Sequence, residues 1–169
     1  MNSKQFVAKI VADNQALFQA SQHNVKAYFD SKPAQEELVA HFIGRMVNER
    51  MNMVEISQAI AQMPADADPV ALAAYQLVAE GRAEAVWNTM AECVEDEFIR
   101  KSYAKIAKDE GFHSKIGARK LEQLVTDAEI AAKVETLVAA MRKDLYEISC
   151  KNTVAAQAGR ELVADAYGW

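Results

Sequence analysis

Apolar residues recur along the chain at intervals of three and four, the spacing of one face of an α-helix. The pattern predicts helices over about 3–29, 33–62, 69–93, 95–123 and 127–149, with a shorter one near 153–165. Prolines and polar clusters punctuate it. Asp30-Ser31-Lys32-Pro33 and the run Met63 to Pro69 stop one helix and start the next, because proline disfavours helix in the residue before it and suits a first turn. Glu95-Asp96-Glu97 places negative charge where a helix dipole favours it, and Thr126-Asp127-Ala128-Glu129 has the spacing of a capping box. Long helices joined by short connections pack as near-antiparallel neighbours. The expected architecture is an all-α, up-down four-helix bundle in a single domain over 1–169, with its core at about 3–123 and additional C-terminal helices at about 127–165.

Polar residues interrupt these stripes. The fourth helix reads Ile99, Tyr103, Ile106, Glu110, His113, Gly117, Leu121, Leu124 along one face, which puts Glu110 and His113 one turn apart on the inner side. The third reads Val70, Ala73, Leu77, Glu80, Glu84, Trp87, Ala91, Val94, and the second reads Leu38, Phe42, Met46, Glu49, Met53, Ile56, Ile60. Glu49, Glu80, Glu84 and Glu110 all fall near mid-helix, so a bundle brings them to one depth beside His113. Carboxylates buried together need a counter-charge, since an isolated buried ion costs several kcal/mol. A divalent metal pair is one answer, supplying about four positive charges to oxygen and nitrogen ligands. Pairing with Arg45, Arg82 or Lys115 on slightly rotated faces is the other.

Composition narrows the classes. Of 169 residues 51% are hydrophobic and 25% charged, with 6 Gly and 3 Pro, which excludes a disordered tail and a turn-rich β-sandwich. A net charge of −5 argues against nucleic acid as a partner. No uncharged apolar run approaches the roughly 20 residues of a membrane span, and Asp13 interrupts the amphipathic N-terminus, so neither a membrane partner nor a signal peptide is expected. Cys93 and Cys150, without a CxxC, suit free thiols in a reducing, cytoplasmic setting.

With Glu80 followed thirty positions later by Glu110-Gly111-Phe112-His113, the chain resembles the ferritin-like superfamily of carboxylate-bridged di-metal bundles, which includes rubrerythrins, bacterial multicomponent monooxygenases and phenylacetyl-CoA epoxidase subunits. The family pattern is a Glu on one helix and Glu-x-x-His on the next, twice over. A shift of 61 residues lays Glu49 on Glu110, Asn52 on His113 and Gln19 on Glu80, so the first half keeps one Glu and replaces the other two ligands by amides. The resemblance spans about 3–123 and implies a metal site of Glu49, Glu80, Glu84, Glu110 and His113, with Asp13 or Glu84 as substitutes for the lost carboxylate. It implies one or two iron ions, or manganese, and an oxidoreductase that activates O₂ or peroxide on a small organic substrate. The alternative it leaves is a catalytically silent bundle serving as a partner or scaffold subunit.

Gly81 and Gly111 stand mid-helix, where glycine costs roughly 1 kcal/mol relative to alanine, and signal ligand space, a helix distortion or close packing. Trp87 and Tyr103 are core aromatics or line a substrate pocket; of the other histidines, His23 and His41, the second lies two turns before Glu49, too far to join the same metal. Tyr167 and Trp169 would seal a bundle end or a dimer contact.

Overall fold

The structure, a computed structural model, describes residues 1–44 and 68–151, the last six of these by backbone alone. It is all-helical, with no strand among the described residues. Two units divide the chain: residues 1–30 with 69–169, and residues 31–68. In the larger unit α1 spans Ser3–Asp13 and α2 spans Gln15–Asp30. Of the smaller unit, the helix α3 is described over 35–44, with the Ala34 amide donating to Glu37. The expected positions of Glu49, Asn52, Tyr167, Trp169 and the helix near 153–165 lie outside the described residues. The larger unit continues with α4 (Pro69–Tyr75), a π-helical turn (Gln76–Glu80), α5 (Gly81–Cys93), α6 (Glu97–Leu124) and α7 (Ala128–Lys151).

Two expected helices are interrupted. The one expected over 3–29 breaks at Asn14, which is fully buried. Its side-chain Nδ2 donates to the Ile10 carbonyl at 2.7 Å and its own amide reaches Val11, so the local geometry tightens for a turn before the helix resumes. The one expected over 69–93 keeps its ends but carries the π turn at its centre. A π turn inserts a residue and leaves a carbonyl without its regular partner. Here the Leu77 carbonyl accepts the Ser114 hydroxyl of α6 at 3.1 Å, which satisfies the distorted backbone.

The caps are local in origin. Asp96 accepts the Ile99 amide at 2.9 Å and opens α6. The start of α7 is displaced from the expected capping box: Asp127, not Thr126, accepts the Ile130 amide at 2.9 Å. Asp127 wins because its carboxylate is the stronger acceptor, and Thr126 donates its hydroxyl to that same carboxylate at 3.2 Å.

α6 runs along α4, the π turn and α5; α2 lies against α5, and α7 covers α4. The core joins Phe6 and Ile10 of α1, Ala73 and Leu77, Leu121 of α6, and Val134 and Val138 of α7. Small residues set how closely α6 approaches. A Cβ on Gly117 would stand 2.6 Å from the Leu77 amide nitrogen and 2.7 Å from the Ala73 carbonyl, so only glycine fits. The buried edge of α6 therefore follows Tyr103, Ala107, Gly111, Gly117 and Leu121. It is turned by about one residue from the stripe drawn through the larger side chains, because glycine and alanine make the closest backbone contact while contributing least to hydrophobicity.

Candidate metal centre

Rotation of α6 decides where its acidic motif lies. Glu110 sits on the shoulder of the packed face with its side chain 14% exposed, and His113 lies further round at 49%. The expectation that His113 points into the bundle is thus corrected: it stands at the rim. Glu80 closes the π turn, half-buried, on the element that α6 packs against. Ligand-type atoms of Glu80, Glu110 and His113 all lie within 4.8 Å of one another. The spacing expected from sequence is realised for these three residues.

Charge within this group is poorly compensated. Burial, then a hydrogen bond that Glu110 donates to Glu80 and the charge of Glu80, push the Glu110 carboxyl from 4.5 up to about 8. His113 opposes that shift, with Nδ1 3.5 Å from Glu110 Oε2. Glu110 therefore holds a proton at neutral pH when no cation is bound. Tyr75 stands five residues before Glu80, one π turn away, and its phenol feels both carboxylates: burial and then the charges of Glu80 and Glu110 raise its pKa, with Arg82 opposing. The phenol keeps its proton and is 46% exposed.

The other expected ligands are placed differently. Glu84 is outside the three-residue group; its carboxylate fills the space over Gly111, where an added Cβ would meet Oε1 at 2.3 Å. Gly111 thus serves close packing, and Gly81 likewise abuts Phe18 and Ser114. Gln19 is exposed, because the inner face of α1 and α2 runs through Ile10, Asn14, Leu17, Ser21 and Asn24, and Gln19 falls off it. Matching residue types at an offset of 61 ignored that phase. Asp13 is engaged by Lys9 at the end of α1. Arg82 Nε donates to the Ser21 hydroxyl at 3.0 Å, tying α2 to α5.

Trp87 and Tyr103 pack on each other, with ring centroids 5.0 Å apart, and both are buried, as core aromatics are. A cleft of about 370 Å³ lies elsewhere, between Lys26, Phe29 and Asp30 of α2 and Thr89, Glu92 and Cys93 of α5. Burial raises the Cys93 thiol pKa, with Asp30 and Glu92 acting in the same sense. Glu84 and Cys93 are separated by about 14 Å along α5, so this cleft does not open beside the acidic group.

Two residues central to the site were not singled out from sequence. Tyr75 carried no signal, because the π turn that brings it onto the side of Glu80 is invisible in periodicity. Ser114 did carry one: it lies between Gly111 and Gly117 at the spacing of a packed face.

The donor set suits a divalent cation. Ligands at the usual 2.0–2.2 Å from one ion lie up to about 4.4 Å from each other, so a slight contraction of the observed group meets the requirement. Two oxygens and one imidazole nitrogen match the preferences of iron, manganese or zinc, and the proton on Glu110 is what a cation would displace. No family model, curated protein or solved structure matches the chain.

Proposed function

We propose that Glu80, Glu110 and His113 hold an iron ion, with manganese as the alternative, and that the chain is a ferritin-like, non-haem iron oxidoreductase acting with O₂ or peroxide on a small organic molecule. The observation that carries this is the convergence of three ligand atoms within 4.8 Å around a Glu110 carboxyl pushed up to about 8. Glu84, one turn beyond Glu80, stands in reserve over Gly111.

Iron, when bound, supplies the redox chemistry. The chain's residues do the rest. Glu110 gives up its proton to admit the cation, Glu80 contributes the second oxygen, and His113 offers a ring nitrogen. Exposure of His113 leaves one side of the group open to a small molecule. Tyr75, protonated and half-exposed, offers a hydroxyl hydrogen-bond donor near the carboxylates.

A second reading, a silent bundle acting as partner or scaffold, is favoured by the exposure of Gln19, which stands where the family pattern has its first Glu. Metal content decides between them. Protein produced with iron should carry at least one iron or manganese ion per chain, lost in Glu110→Ala. Metal-free wild type, unchanged in melting temperature by added Fe(II) or Mn(II), would overturn the oxidoreductase reading.

A further inference from the structure

The face of α6 turned away from the core has its own order. Residues Phe98, Lys101, Lys105, Asp109 and Phe112 follow one another at steps of three and four, opposite the packed edge of Tyr103, Ala107 and Gly111. Phe98 is 80% exposed and Phe112 61%, two of the largest apolar side chains left in water among the described residues. They stand about 21 Å apart along the helix, too far to shield each other. Single exposed apolar residues are ordinary, but two aromatics on one straight helical line, separated by a patterned set of charges, form a surface.

The pattern is symmetric about Lys105. Phe98 and Phe112 are equally distant from it in sequence, and so are Lys101 and Asp109. In a two-fold dimer one patch meets itself, and a residue before the axis faces its counterpart after it. Two antiparallel copies of α6 crossing at Lys105 would bring Phe98 onto Phe112 of the partner subunit and Lys101 opposite Asp109 of the partner subunit, each contact occurring twice. Within one chain Lys101 Nζ already bonds Glu97 at 2.7 Å, so the cross-pairs extend an existing ion pair. The cost is Lys105 meeting its own copy on the axis, which a long, exposed side chain relieves by turning outward.

We propose that the outward face of α6 is a self-complementary docking surface for a second copy of this chain, paired antiparallel about Lys105 with each Phe98 seated against the partner's Phe112. A single pair of helices is a small interface, below about 1,200 Å² in total, so association is weak and depends on concentration.

Charge exchange tests it. Sedimentation equilibrium of the full chain should show a monomer–dimer equilibrium. Lys101→Asp and Asp109→Lys, each at an exposed position, should weaken dimerisation about tenfold, because each sets like charges opposite one another. The double exchange K101D/D109K should restore it to within about threefold, which a merely structural role for either residue would not produce. Phe112→Ser should weaken it by at least the same factor, with unchanged melting of the monomer. A chain that stays monomeric at millimolar concentration would overturn the proposal. So would a dimer indifferent to these substitutions, or one that the double exchange fails to rescue.

Discussion

Glu110 holds its proton at neutral pH because its carboxyl is withdrawn from water and donates a hydrogen bond to Glu80, whose charge opposes a second anion beside it. Folding therefore raises its pKa from 4.5 to about 8. A group that binds its proton more tightly when folded stabilises the fold fully below its unfolded pKa, and that contribution is lost as pH climbs through about 8. Glu110→Gln keeps the shape and a hydrogen-bonding end without the charge. In metal-free protein its melting temperature should exceed that of wild type at pH 8, and the gap should narrow towards pH 5. Melting curves of the two proteins across that range check this; a gap that widens towards acid would contradict the proposed cause. Ser114→Ala should cost about 1 kcal/mol, because it leaves the Leu77 carbonyl of the π turn without its donor.

At the scale of elements, contact between α6 and the distorted α4–α5 segment depends on glycines with different neighbours. Gly117 meets backbone: its Cβ would lie 2.6 Å from Leu77 nitrogen, and neither helix can yield cheaply. Gly117→Ala should therefore destabilise by about 1–3 kcal/mol despite alanine's higher helix propensity. Gly111 meets the end of the flexible Glu84 side chain, so Gly111→Ala should be within about 1 kcal/mol of neutral while displacing that carboxylate. Chemical denaturation of both variants tests the contrast, and equal costs would refute it. The same elements show what periodicity conveys. The stripe through Val70, Leu77, Trp87 and Val94 marks a buried face because large side chains dominate the count. The phase of α6 is displaced by small residues that hydrophobicity undervalues, which is why His113 reaches the rim. The breaks at Asn14 and at Gln76–Glu80 arise from single hydrogen bonds and one inserted residue, which no average over a helical turn records.

At the scale of the whole molecule, the all-helical class follows from composition and period; of the five expected ligands four lie in the described chain, and three of those, Glu80, Glu110 and His113, come together. The i,i+4 spacing puts Glu84 on the same face as Glu80, but it does not record that the Glu84 carboxylate lies over Gly111 rather than in the three-residue group. No described helix is long and apolar enough to cross a membrane. Metal bound to the folded chain alone should stabilise it by mass action, by about 2.7 kcal/mol at a hundredfold excess over the dissociation constant. Wild type should thus gain thermal stability with Mn(II), and Glu80→Ala and His113→Ala should gain little.

The most direct test of the metal centre is its proton balance. If Glu110 must surrender a proton to admit a cation, Mn(II) titrated calorimetrically into metal-free protein at pH 7, in buffers of different ionisation enthalpy, should release about one proton per ion. Glu110→Gln should neither release that proton nor bind with comparable affinity. Binding without proton release, or binding by Glu110→Gln as tight as by wild type, would contradict a cation held by Glu80, Glu110 and His113.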